Sequence, residues 1–233
     1  EHRGTFVLKE EGNSNDQLDW GVKVNVEDIR DRVREYTVID SAGFSVRPPN
    51  IGLRNDEPYN SFTGPLVPFT SISADNDLQI SRVQAYAQYS SRGFWGENEV
   101  FWNMGGRVHN WTVSGDGFED TNQTVISPRG QFAIKPYWKD TDMLFRFSTG
   151  VYHQPPFYRE LRDENGTVNP AVEAQKSIHF VLGNDWSFSW NERPFKLTSE
   201  AYYKSLSDVN TYTLENVRIR YRANNEATAY AYG

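Results

Sequence analysis

The residues that could do chemistry are first of all carboxylates close together in sequence. Glu97/Glu99, Asp140/Asp142 and Glu160/Asp163/Glu164 could be read as the acid and base of a glycoside hydrolase. That reaction needs two carboxyls held ~5–10 Å apart across a cleft. Each group falls in or beside a polar stretch, where solvated turn charge accounts for it. The four histidines, His2, His109, His153 and His179, show no HxxxH or HxH spacing, so no zinc site is expected. SGDGFED and DENG lack the full ligand series of a calcium loop. There is no cysteine, hence no thiol nucleophile and no disulfide scaffold. No GxGxxG, P-loop or GxSxG element occurs. Asn110, Asn122 and Asn165 open glycosylation-type triplets that chance explains. The sequence predicts a protein that is not an enzyme and carries no cofactor or metal.

Residues suited to binding form one group. Tyr152, His153, Gln154, Phe157, Tyr158 and Arg159 stand where an alternating segment runs into a long polar loop, FYRELRDENGTVNP. Aromatics with an arginine suit a sugar, a siderophore or a peptide. The competing account is aromatic anchoring at an interface together with loop packing.

What must position these residues is a strand. From Asp142, the residues Met143, Phe145, Phe147 and Val151 point one way, and Arg146, Ser148, Gly150, Tyr152 and Gln154 the other, with Leu144 the one apolar exception. A period of two marks a strand with one dry and one wet face. Pro155-Pro156 ends it, because proline donates nothing to a ladder. The same alternation predicts strands at Thr5–Lys9, Leu18–Glu27, Leu78–Ser91, Glu99–Thr112, Val125–Tyr137, Ser177–Ser189, Phe195–Lys204 and Ala227–Gly233. The charged run EDIRDRVREY is read as a continuation of the Leu18 strand into water in preference to a helix. EEGNSNDQ is read as a turn, and Asp40–Asp77 as a long loop.

The polar faces collect Arg82, Gln84, Gln88, Arg107 and His109, then Arg129, Gln131, Lys135 and Arg146. His179, Lys196, Glu200 and Lys204 complete the set. Aromatics make up 15% of the chain while hydrophobic residues reach only 37%, which suits a large sheet with a single apolar face. Connections alternate short and long, and aromatics gather beside the short ones: Phe94, Trp95, Phe101 and Trp102; Tyr137 and Trp138; Trp186, Phe188, Trp190 and Phe195. An up-and-down meander with short turns and an aromatic girdle at one end is the plan of an outer-membrane barrel. A soluble β-sandwich also alternates, but need not sort its turns by length or its aromatics by end. On the barrel reading, the polar-face residues line the lumen.

Several segments are similar to TonB-dependent outer-membrane receptors of the Bacteroidetes type. They are LDWGVKV, EYTVIDSAGFSV, FWNMGGRVHNW, SPRGQFAIKPYW, MLFRFSTGVYHQPPFYREL, QKSIHFVLGNDW, RPFKLTSEAYYKSLSDVNTY and VRIRYRANNEATAYAYG. HQPPFYREL and SEAYYKSLSDV carry most of the likeness. The resemblance implies an all-β fold, an antiparallel up-and-down transmembrane barrel of about 22 strands with a plugged lumen. It implies uptake of a scarce ligand across the outer membrane of a Gram-negative bacterium, driven by the TonB complex through a plug domain.

With about nine alternating strands and no plug sequence, the chain is expected to be a portion of such a barrel. The partners implied are outer-membrane lipid, the rest of the same barrel, the TonB complex, and other outer-membrane or surface proteins. A net charge of −7 without a basic run argues against nucleic acid. Two alternatives stay open: a structural or accessory subunit of an outer-membrane assembly, and a secreted β-sandwich module that binds carbohydrate.

Overall fold

Alternation of apolar and polar residues over most of the chain does produce strands, and they pair in chain order. The computed structural model describes residues 1–11, 14–37, 70–215 and 217–233. β1 (His2–Glu11), β2 (Ser14–Thr37), β3 (Thr70–Trp95) and β4 (Asn98–Gly115) are followed by β5 (Thr121–Lys135) and β6 (Asp142–Gln154). A short helix, α1 (Tyr158–Leu161), precedes β7 (Gln175–Trp190) and β8 (Arg193–Val209). β9 (Tyr212–Glu215), β10 (Arg218–Tyr221) and β11 (Ala227–Tyr232) complete the chain. One 9-stranded sheet runs β1-β2-β3-β4-β5-β6-β7-β8-β11, and β9 pairs with β10 separately. All these pairings are antiparallel. The sheet is open: β1 and β11 each pair on one side only among the described residues.

Tight turns set the register at one end. Trp95 pairs with Asn98 across Gly96, whose φ of 65° suits glycine. Trp190 pairs with Arg193 across Asn191 and Glu192, at φ 51° and 58°. Two positive φ values in a two-residue loop match the right-handed strand twist, as in a type I′ hairpin.

Four expectations need correction. β3 begins at Thr70, so Thr70–Asp77 is strand where a loop is expected, and 38–69 lies outside the described residues. The ladder with β2 explains this: Arg30 lies opposite Asp77 and Arg32 opposite Asp75, and both pairs bridge, at 3.2 and 2.8 Å. Cross-strand opposite charges hold a segment whose Ser and Asp content reads as turn. EEGNSNDQ is likewise mostly strand. The polar loop after Pro156 contains α1, and the segment before Ala227, read as a polar loop from its polar composition, contains the β9–β10 hairpin.

Directly opposed residues of an antiparallel pair share a face. The apolar face carries Val22, Val24 and Val26 of β2, Val83 of β3, Met104 and Val108 of β4, and Ile126 and Phe132 of β5. It continues through Phe145 and Phe147, Phe180 and Leu182, and Leu197 and Tyr203. These side chains are exposed, up to 60% for Val24, 61% for Met104 and Leu182, and 62% for Ile126. No described helix is long and apolar enough to cross a membrane, which says nothing of crossing by strands.

The core lies elsewhere, on the opposite face near the long connections. Leu78 and Ile80 of β3 and Trp111 and Val113 of β4 are almost fully buried against Leu161, Val172, Ala174 and Ala223. The last four belong to the segments 155–174 and 210–226, which together form a cap over this end of the polar face.

Candidate functional site

The apolar band has a regular height. On β2 it runs from Leu18 to Val26, on β4 from Val100 to Val108, on β5 from Ile126 to Ile134, on β6 from Met143 to Val151 and on β8 from Phe195 to Tyr203. Each stretch is about nine residues, against the ~9–11 with which a tilted strand crosses a bilayer. At the short-turn end the band meets aromatics: Trp186, Phe188, Trp190 and Phe195 contact one another in sequence, with ring centroids 4.6 to 6.1 Å apart. At the other end the same face turns abruptly polar. On β2 and β3 it becomes the Arg30–Asp77 and Arg32–Asp75 ladder, with Gln79 donating to Asp28 at 2.7 Å. On β4 and β5 it becomes an amide–hydroxyl net in which Asn110 donates to Thr124 at 2.8 Å and Asn122 to Thr112 at 2.7 Å.

The ladders set Arg82, Arg107, His109, Arg129, Gln131, Arg146, His179, Glu200 and Lys204 on the polar face together. Several are held by neighbours. Arg129 donates to Gln88 at 2.6 Å, Arg107 lies over the Tyr86 ring at 5.9 Å, and Lys204 lies over the Tyr202 ring at 5.3 Å. Arg146 bridges Asp185 at 3.0 Å, and Lys196 reaches the same carboxylate at 3.2 Å. His109 is buried at 8% exposure, and neither ring nitrogen has a hydrogen-bond partner among the described residues. Arg107 and Arg129, with Arg3, Asp19 and Tyr86, line an open cavity of about 730 Å³ toward the short-turn end.

Arg82 ties the sheet to the cap. It pairs with Glu27 at 2.8 Å and donates to the carbonyl of Pro156 at 2.9 Å, fixing the start of the cap. The cap is tied to other strands too. Tyr158 donates its hydroxyl proton to Asp31 of β2 at 2.6 Å and accepts from Asn76 of β3 at 3.2 Å. Arg162 bridges Asp31 as well. Gln123 of β5 donates to the carbonyl of Val172 at 3.1 Å. Within the cap, Asn210 donates to the Glu160 carbonyl at 2.7 Å and Asn169 to that of Ala223 at 2.8 Å.

The six candidate binding residues separate into two places. Tyr152 lies on the polar face with its ring 4.5 Å from that of His179, and Gln154 is exposed beside it on the same face. His153 is tied to Ser127, through its backbone N–H at 3.2 Å and Nδ1 at 3.1 Å. Phe157 and Arg159 face a different space, a groove of about 1010 Å³ between the upper part of β2 and the cap. The Phe157 ring stands edge-on to Tyr221 at 5.7 Å, and Arg159 is exposed. Tyr158 is committed to Asp31. Burial, reinforced by that hydrogen bond, pushes its phenol up from 10.0 to about 12.

Glu160 also departs from expectation. It is not a solvated turn charge: it is 4% exposed, accepting from the Phe157 N–H at 3.1 Å and from Gln175 at 2.8 Å. Burial raises its carboxyl above the ordinary value. Asp163 does cap a turn, accepting from the N–H groups of Asn165 and Thr167. Among the other acids, Glu99 is ion-paired with Arg92 and Asp142 with Lys135.

Residues that sequence reasoning missed are Asp31, Arg162, Trp111, Tyr221 and the pair Arg218/Arg220. The last had a visible signal, since arginines two apart in VRIRYR share one face of a strand.

The raised phenol gives a pH expectation. Its neutral form is favoured in the folded state, so the stabilisation is complete below about 10 and is lost as pH rises through about 12. Tryptophan fluorescence, which reports Trp111 beneath the cap, should show a transition between these values. Tyr158→Phe should reduce it, leaving the part contributed by the other tyrosines.

No protein-family model, no curated protein and no solved structure matches the chain.

Proposed function

We propose that this chain is part of an outer-membrane β-barrel of the TonB-dependent receptor kind, serving ligand uptake. One observation carries the membrane part: an exposed apolar band of about nine residues per strand, bounded by aromatics at one end and by ion pairs and amides at the other. An exposed apolar patch of this size has to be covered, and lipid covers it without a second sheet. On this reading the polar face looks into a hydrated lumen, the long connections face outward, and β1 and β11 pair with further strands of the same barrel. Closure also answers the hazard of two open edges. The receptor part rests on the resemblance of HQPPFYREL and SEAYYKSLSDV, and on a cap built over the polar face where a ligand would arrive.

Membrane fractionation of the full-length protein, followed by a heat-modifiability gel, tests this directly. Extraction by detergent alone, with a mobility shift on boiling, is the expected result. A freely soluble protein removes the membrane reading and gives first place to a secreted binding module.

A further inference from the structure

Charge runs against the chain's average at one place. The protein has a formal net charge of −7, yet the groove between upper β2 and the cap is lined by arginines on both walls. On the β2 wall, Arg30, Arg32 and Arg34 are matched across the ladder by Asp75 and Asp77. On the cap wall the match is incomplete. Arg162 takes Asp31. Arg218, at 3.3 Å, and Arg220 both reach the carboxylate of Glu35. Arg159 is exposed and forms no ion pair with any described residue. Asp163 and Glu164 line only a narrower adjoining recess, and Asp163 is engaged by backbone N–H groups there.

We propose that this groove binds a small polyanion, a polycarboxylate or polyphosphate, through Arg159 and Arg218. Guanidinium forks match both carboxylate and phosphate oxygens in paired geometry. Phe157, 41% exposed, and Tyr221 supply a flat apolar surface for the ligand's carbon frame. The groove's volume of about 1010 Å³ is that of a small-molecule site. The proposal names a ligand class for part of the candidate site, and takes from the membrane reading only that this end faces water.

The test is calorimetric titration of the detergent-extracted full-length protein with citrate and with pyrophosphate at low salt. At least one is expected to bind, and the better of the two separates carboxylate from phosphate recognition. Arg159→Gln should weaken binding about tenfold, as loss of one charge-assisted contact does. It breaks no hydrogen bond or ion pair within the described protein, so the variant is expected to fold. Lys135→Gln, at the opposite end of the sheet, should leave the affinity unchanged. Added salt should weaken binding by screening. Silence with both probes, as when another strand fills the groove, overturns the proposal, and so does binding indifferent to Arg159→Gln. A protein that proves soluble yet binds through Arg159 keeps this inference while losing the membrane reading.

Discussion

Lysine in place of Phe147 or Phe180 is expected to cost about 2–4 kcal/mol of folding stability in a bilayer, the lipid-face cost of a cation near mid-membrane. The size of the cost depends on which solvent wets the face. Phe147 is 40% exposed and Phe180 47% exposed in the chain itself. An exposed side chain in water tolerates such a change within about 0.5 kcal/mol. Phe147 sits mid-strand in a row with Phe132 and Leu182, all on the apolar face. Gln131 is the neighbour of Phe132 in sequence but points to the polar face opposite Ser148. Gln131→Lys should therefore be nearly silent. Urea titrations of the full-length protein folded into lipid vesicles would read all three. Equal tolerance at the three positions would mean that water, not lipid, wets this face.

The band was legible in the sequence because a uniform solvent on one face prints itself with a period of two. Val22, Val24 and Val26, or Met143, Phe145 and Phe147, need no partner elsewhere to be recognised. The cap was not legible, because its partners are remote in sequence. Leu161 and Val172 meet Ile80 and Trp111 only through the pairing of β3 with β4. A trace of it was nonetheless present. Along β4 the apolar residues change face, from Val108 to Trp111 and Val113. Along β3, Leu78 and Ile80 are in phase with Arg82, not with Val83. Such a switch marks the height at which the apolar environment passes from one side of the sheet to the other. Read as one strand with one dry face, each segment hid it. Glu160 was misread for a related reason: acids close in sequence look like a solvated cluster until α1 turns one of them inward against Gln175.

Trp111→Ala is the change expected to damage the cap most. The indole is 1% exposed at the centre of the only large cluster of buried apolar residues described, so truncation should cost about 3–5 kcal/mol through lost burial and a residual cavity. The loss should be local. Sheet pairing below His109 does not depend on this residue, whereas Leu161 and Val172 lose the surface they rest on. Limited proteolysis should then cut within 155–174 while the nine-stranded sheet stays resistant. Trp111→Phe should cost much less. The indole N–H is buried without a hydrogen-bond partner among the described residues, so its removal relieves a desolvated donor while most of the ring is kept. Trp95, 72% exposed beside a short turn, serves as the contrast, since alanine there should leave the cap resistant. A Trp111→Ala protein whose cap resists protease as well as the parent would show that the ties from Asp31, Asn76 and Arg82 hold the cap without its core. The polar contacts, rather than the buried cluster, would then set the shape of the groove above β2.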